Sequence, residues 1–495
     1  MQNVLEYLEA VCAARPDAVA VACRDDFYSF SDFRCLAARL GNAIPKSMHN
    51  QPIGVIADRS AETAVFFAAA LYSGNYYIPI DPDMPLEKRR AILDDANPRV
   101  ILGREAAMQA LDGLDYDGLC LTPADAAAEP CAFPSAGGDD PLYMVYTSGS
   151  TGKPKGVLKS HGAEISFLEA YQATFGFDEH EIIGNQTPFF FDAAGKDFYL
   201  MLKTGARLEI IPTELFAMPT MLVEYLNEKR ITFLSWVPTA LSIVAQLRTF
   251  SFVKPETVRR VFFVGEVMPM KHLNYWRKYL PDVAFVNLYG ASELAGICCY
   301  YPVEGAFAND ENLPMGKALS NCQIHLMNGD EAVTEAGKVG EIYLVSPALA
   351  LEYYHDPQKT SACFQTRDFG AGMVRCFKSG DLASYDAAGN LVFAARSDYQ
   401  IKHMGHRIEL GEIETVAGAL PEMARCCCLY DDKKSRIVLF CQLIPEAAGR
   451  TGQEIQSSLR SRLSSYMLPA KVHVLDQLPL NANGKIDRQA LKTQL

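Results

Sequence analysis

The strongest constraint on this chain is a run of eleven residues, Tyr146-Thr147-Ser148-Gly149-Ser150-Thr151-Gly152-Lys153-Pro154-Lys155-Gly156, which follows the apolar stretch 142–146. It holds three glycines, four small hydroxyl side chains and two lysines. Glycine lets a backbone approach a phosphate closely, and the N–H groups, hydroxyls and ammonium ions supply donors. The spacing is not that of a G-x-x-x-x-G-K-[ST] loop. A flexible Gly/Ser linker is the alternative, but the strand-like flank and the stiff Lys-Pro-Lys sequence oppose it. A phosphate-binding loop at the end of a strand is therefore expected.

The surrounding sequence suits such a loop. Residues 61–72 read as a helix, and 54–57 and 100–102 as short buried strands. A second α/β stretch covers about 155–300, with strand-like runs at 208–211, 231–234 and 261–264. This alternation predicts a layered α/β architecture with parallel strands. From 316 to 393 the chain turns β-rich, with turn signals at Asn328-Gly329-Asp330 and Ala388-Gly389-Asn390. A polar break, Ser397-Asp398-Tyr399-Gln400, precedes a small α+β segment. A chain of 495 residues is too long for one core. The expected fold is a large multi-layer N-terminal α/β domain with a β-rich subdomain (1–396), a hinge (397–400) and a small mobile α+β domain (401–495).

Charge and cysteine usage narrow the function. The formal charge is −13, with no basic block and no interleaved Arg/aromatic patch, which disfavours nucleic-acid binding. Cys298-Cys299 and Cys426-Cys427-Cys428 are consecutive runs rather than C-x-x-C pairs. Neighbours in a strand point to opposite faces, so buried thiols are expected rather than a metal cluster. No basic segment followed by an apolar one opens the chain, and no window offers the roughly 18 apolar residues of a membrane span. A cytoplasmic enzyme without membrane insertion is expected.

Further motifs then fall in a recognisable order. Tyr77-Ile78-Pro79-Ile80-Asp81-Pro82, the loop above, Asn287-Leu288-Tyr289-Gly290-Ala291-Ser292-Glu293 and Ser379-Gly380-Asp381 come first. Arg396-Ser397-Asp398-Tyr399-Gln400-Ile401-Lys402, Gly405-His406-Arg407-Ile408-Glu409-Leu410-Gly411-Glu412 and Asn483-Gly484-Lys485-Ile486-Asp487-Arg488 follow. Together they resemble the adenylate-forming superfamily: acyl-CoA ligases, luciferases and the amino-acid-activating domains of nonribosomal peptide synthesis. The resemblance implies an enzyme that uses ATP and Mg²⁺ to adenylate a carboxylic acid and then passes it to a thiol.

It also implies roles. Thr147, Ser148, Gly149, Ser150, Thr151, Gly152 and Lys155 would hold the phosphates. Tyr289 would stack on adenine and Asn287 would bond its edge, with Gly290 and Ser292 beside them. Asp381 would accept from ribose hydroxyls, and Arg396 would help hold the nucleotide. Glu293 would carry Mg²⁺, a hard cation suited to carboxylate oxygen. Lys485 would stabilise charge on the α-phosphate and the attacking carboxylate. Asp398 would be the hinge about which the small domain rotates to admit the thiol, with the turn at Gly405 facing the acceptor channel.

Phe191-Asp192-Ala193-Ala194-Gly195-Lys196 bears on the substrate. In amino-acid-activating relatives an aspartate at the place of Asp192 holds the substrate's ammonium. Alternatively, Asp192 pairs with Lys196, four residues on. The matching pocket is Ala193, Lys196, Ser235, Phe262, Val264, Leu288, Gly296 and Ile297. Lys196 would attract a side-chain carboxylate, or pack its stem and release its head to water. Phe263-Val264-Gly265-Glu266-Val267-Met268-Pro269 resembles stand-alone D-alanine–carrier protein ligases, yet those relatives often place cysteine at Val264 and a bulkier residue at Ala193. Lys378 and Leu351-Glu352 also replace a usual arginine and a usual Arg-Gly. The chain ends ten residues after Lys485, so the expected acceptor is the phosphopantetheine thiol of a separate carrier protein, with coenzyme A as the alternative. An acyl-CoA or aryl-CoA ligase and an inactive nucleotide-binding protein are the competing readings.

Overall fold

The computed structural model describes residues 1–148, 154–396, 400–480 and 486–495. The chain divides into two compact units. The first comprises Met1–Pro82, Ala96–Val145 and Gly156–Ser397; the second comprises Asp83–Asp95, Tyr146–Lys155 and Asp398–Leu495.

The first unit is built around the helix Ala61–Tyr72, eleven of whose twelve residues are buried. A helix apolar on every side must be covered on every side. Ser60 starts it by accepting from the Thr63 N–H. From this helix Phe67 stacks on Tyr77 with ring centroids 4.1 Å apart, and meets Phe189 and Phe198 edge-on. The core thereby joins two large sheets. A seven-stranded sheet has Lys155–Ser160, Pro141–Thr147, Tyr76–Ile80 and Pro52–Ile56 as consecutive members. A nine-stranded sheet runs through Ala284–Tyr289, Arg260–Val264, Phe233–Trp236, Ile182–Asn185, Arg207–Ile210 and Val19–Cys23, all parallel. A six-stranded antiparallel sheet follows, with Gly329 and Gly389 at positive φ in the two expected turns. The mixed α/β class read from the alternation is the class observed.

One strand is displaced. The run expected at 231–234 is a strand over Phe233–Trp236 instead. Ile231 is fully buried, but its N–H bonds Leu226 O at 2.9 Å and so finishes the preceding helix turn. Apolarity marks burial, not backbone geometry.

In the second unit, Gln400–His403 and His406–Glu409 form a hairpin with Met404 and Gly405 both at positive φ, the backbone a two-residue turn needs. A three-stranded sheet of Met423–Asp431, Arg436–Leu443 and Lys471–Val474 packs against Leu410–Gly418 and Gly452–Leu459. Cys428 and Cys427 enter different core clusters, as strand alternation requires. All fourteen thiols are free.

Gly316 lies at φ +91°, and an added Cβ would sit 2.0 Å from Tyr300 O. Gly389 has a similar φ of +77° but open space around it. Gly316→Ala is expected to lower the thermal unfolding midpoint by the equivalent of about 1–3 kcal/mol more than Gly389→Ala, since clash adds to backbone strain. Equal shifts would remove the steric account.

Candidate functional site

Four of the eight pocket residues expected from sequence sit on one sheet face. Register places Ser235 beside Phe262 and Val264 beside Leu288 on three adjacent parallel strands. Alternation then points these four the same way, while Trp236, Phe263 and Phe285 enter a separate core cluster behind the sheet. Phe262 is walled by Phe175 and Phe233, with centroids at 4.7 and 5.0 Å. The Ser235 hydroxyl is buried and has no partner among the described residues. Leu288 and Ile297 are buried, and Val264 and Ala193 half-buried. Gly296 has φ +65°, and a Cβ there would strike the Phe167 ring at 2.2 Å; one on Gly290 would meet Gly296 O at 2.6 Å. These two glycines let the turn bearing Ser292 and Glu293 lie close to the helix behind it.

Asp192 opens the helix Asp192–Thr204. Its Oδ1 accepts from the Lys159 ammonium and, at 3.1 Å, from the Tyr143 hydroxyl. Lys159 has no exposed side-chain surface; its ammonium also reaches Tyr143 Oη at 3.2 Å and Leu294 O at 3.0 Å. The alternative pairing of Asp192 with Lys196 does not form. Lys196 instead donates to Ala193 O at 3.0 Å and pairs with Asp197 at 3.2 Å. Asp197 is fully buried and needs a counter-charge more than Asp192 does, so the neighbouring cation goes to it. The Lys196 head therefore does not escape to water. From the helix His161–Phe175, Glu164 places Oε2 3.4 Å from Tyr143 Oη, while its buried Oε1 has no partner among the described residues. Burial pushes the Glu164 carboxyl up to about 8, against the pull of Lys159. Burial also raises Asp192, with Lys159 and Tyr143 opposing and Glu293 reinforcing.

Tyr289, Asp381 and Arg396 meet in one chain of contacts. Asp381 accepts from the Tyr289 hydroxyl on one oxygen and from Arg396 at 2.6 Å on the other. Asp381 and Arg396 are cross-strand partners, and Arg396 also reaches Ser379 O at 3.3 Å. A carboxylate has about four acceptor positions, so two engaged donors leave room for ribose hydroxyls. Asn287 donates through Nδ2 to Pro314 O at 2.8 Å. Glu293 is fully buried and accepts from Tyr353 Oη at 2.5 Å. A carboxylate supplies the hard oxygen donors that Mg²⁺ takes, so Glu293 fits the role by its chemistry.

Within the second unit, Ser148 Oγ donates to Arg407 O at 2.9 Å and accepts from Glu409 N at 3.3 Å, and Lys155 pairs with Glu409 at 3.2 Å. Thr147 Oγ1 is buried without a partner among the described residues, as a donor reserved for a ligand would be. Gly149, Ser150, Thr151, Gly152, Asp398 and Lys485 lie outside the described residues.

Lys159, Tyr143 and Glu164 escaped the sequence reading. A lysine closing the apolar Val157-Leu158 and an acid amid the helix that follows were the available signals. No helix among the described residues is long and apolar enough to cross a membrane.

Comparison with known proteins places these features in a family. The AMP-binding enzyme description matches residues 8–354, and the AMP-binding enzyme C-terminal domain description matches 412–485. The chain is 31% identical to tyrocidine synthase 3 of Brevibacillus parabrevis across 98% of its own length, but spans only 8% of that protein. It is 27% identical to tyrocidine synthase 1 of the same organism across 99% of its own length, and spans 45% of that protein. Its fold matches the Vibrio cholerae adenylation domain AlmE, solved with glycyl-adenosine-5'-phosphate, at TM-score 0.86 and 20% identity, covering 100% of this chain and 98% of that one. It also matches holo-PA1221, a protein with adenylation and PCP domains, at TM-score 0.85 and 22% identity, covering 100% and 84%. The family description spans well over half the chain, and the chain accordingly belongs to the AMP-binding, adenylate-forming enzymes.

Proposed function

We propose that this enzyme converts an amino acid and ATP to an aminoacyl adenylate and pyrophosphate, then transfers the aminoacyl group to the phosphopantetheine thiol of a carrier protein. The observation that carries the amino-acid reading is Asp192, an acid at the head of a helix, with one oxygen fixed by Lys159 and Tyr143. The AlmE complex with a glycyl adenylate and the carrier domain of PA1221 support the two half-reactions by likeness.

In this reading Tyr289 and Asn287 receive the adenine, Asp381 and Arg396 the ribose, and Thr147, Ser148 and Lys155 the phosphates, with the glycines and hydroxyls at 149–152 completing the loop. Mg²⁺ held at Glu293 would neutralise phosphate oxygens. The substrate carboxylate attacks the α-phosphorus; an O–P bond forms and the bond to pyrophosphate breaks. Lys485 is the residue proposed to offset the charge that builds there, since an ammonium placed at developing charge acts where it lowers the barrier most. Ser235, Phe262, Val264, Leu288, Gly296 and Ile297 would shape the side-chain pocket, with Ala193 and the Lys196 backbone as its rim. Asp398 is proposed as the hinge for the thiol step. One observation favours a second reading. Asp192 already has a cation in Lys159, which suits an acid without an amine, activated as in an acyl-CoA ligase with coenzyme A as acceptor.

ATP–pyrophosphate exchange separates the two. Exchange is expected with an amino acid, with Lys485→Ala lowering kcat about 10²-fold or more. Asp192→Ala is expected to raise KM for that amino acid at least about tenfold while leaving ATP binding intact. Exchange only with amine-free acids would favour the second reading. Glu293→Gln should raise the Mg²⁺ concentration for half-maximal exchange by about tenfold or more, because even indirect supports of a metal site cost that much. An unchanged Mg²⁺ profile would remove Glu293 from the metal role.

A further inference from the structure

Asp192 presents a problem to any cationic substrate. Its Oδ1 is taken by Lys159 and Tyr143, and its Oδ2, with no partner among the described residues, belongs to a side chain that keeps 14% of its surface exposed. A carboxylate already neutralised by a buried lysine is a poor receptor for a second positive charge, since like charges repel strongly where water is excluded. A further negative charge is needed.

Glu164 is placed to supply it. Tyr143 Oη lies 3.1 Å from Asp192 Oδ1 and 3.4 Å from Glu164 Oε2, yet it carries one hydrogen. Lys159 acts on both acids but makes its close contact with Asp192. The groups that act on Glu164 are Lys159 from Lys155–Ser160, Asp192 from Asp192–Thr204 and Tyr143 from Pro141–Thr147, while Glu164 in turn raises Tyr199, Tyr77 from Tyr76–Ile80 and Tyr7 from Leu5–Ala14. Among these described residues Lys159 is the one cation. With the site empty, an ionised Glu164 would be a buried charge whose Oε1 has no donor among the described residues, which is costly. The same carboxylate becomes favourable once an ammonium sits beside Asp192.

We propose that Lys159, Asp192 and Glu164 form a charge-compensated triad: Glu164 holds a proton while the site is empty and releases it to solvent when the substrate's ammonium binds at Asp192, so the site selects an amino acid by exchanging a proton for a cation. Lys159 and Glu164 are positioning residues in this scheme, and the scheme rests on the amino-acid reading above. No covalent bond changes in the substrate; one O–H bond of Glu164 is broken and the proton leaves to water. The elevated Glu164 carboxyl agrees with it.

The test begins with pyrophosphate exchange by the full chain against the proteinogenic L-amino acids, glycine, D-alanine and their deaminated counterparts. For the amino acid of lowest KM, apparent KM should fall about tenfold per pH unit up to about pH 8 and then level off, because binding releases a proton only while Glu164 still carries one. Calorimetry at pH 7 in two buffers of different ionisation heat should count close to one proton released per amino acid bound. Glu164→Gln should abolish both the slope and the release, and raise KM about tenfold or more with little change in kcat. ATP binding by that variant checks that it is folded, while the proton count on the unaltered enzyme needs no variant. Amino-acid exchange with a flat pH profile and no proton release overturns the triad and leaves the amino-acid reading standing. Exchange confined to deaminated acids, or none at all, overturns that reading and the triad with it.

Discussion

The Lys159 ammonium is the interaction on which the site depends. It has no exposed surface, so each of its hydrogens must find an acceptor inside the protein, and each does: Asp192 Oδ1, Tyr143 Oη and Leu294 O. These acceptors belong to three different places: a helix start, a neighbouring strand and the turn that carries Glu293. One cation thereby ties the seven-stranded sheet, the pocket helix and the expected metal carboxylate into a fixed arrangement. Losing a partner of a buried ion costs several kcal/mol, because the charge that remains has neither water nor a counter-ion. The same contact that orients Asp192 also sets the electrostatic condition for everything that binds beside it.

The cluster of Tyr289, Asp381 and Arg396 follows a different logic, in which β register does the positioning. Asp381 and Arg396 come from consecutive strands of one antiparallel pair and lie opposite each other, so the arginine needs no further device to find the carboxylate. Tyr289 arrives from the other sheet and donates its hydroxyl to the same residue. The result is an acid already held on two sides, with its orientation settled before any ligand arrives. Such preorganisation removes the cost of ordering the acceptor at the moment of binding.

What could be read from sequence, and what could not, divides along the range of the interactions. The helix Ala61–Tyr72 was legible because its apolarity is continuous, and the turns at Gly329 and Gly389 because glycine marks positive φ. The strand near Ile231 was misplaced by two residues because burial persists across a helix end while backbone geometry does not. Tyr289, Asp381 and Arg396 could be assembled only through family resemblance, since 92 and 15 residues separate the partners of Asp381. The Lys159–Asp192 contact spans 33 residues and two elements, so no local spacing announces it. Helical spacing offered Lys196 as an alternative partner of Asp192, and the buried Asp197 next to it claimed that cation instead. Glu164 looks like an ordinary acid in the first turn of a helix; only the covering of that helix makes it unusual.

The placement of Ser235, Phe262, Val264 and Leu288 on one face of three parallel strands has a consequence for how such an enzyme can diverge. Each side chain leaves the same face while its backbone is held by neighbours on both sides, so a substitution alters the shape or polarity of that face without moving the frame. Insertions have the opposite character. One added residue within any of these strands would turn every later side chain to the far face, exchanging Val264 for Phe263 and Leu288 for Asn287 on the shared face. Descendants of this chain can therefore vary that face one letter at a time, but only while the count of letters in these three strands is kept.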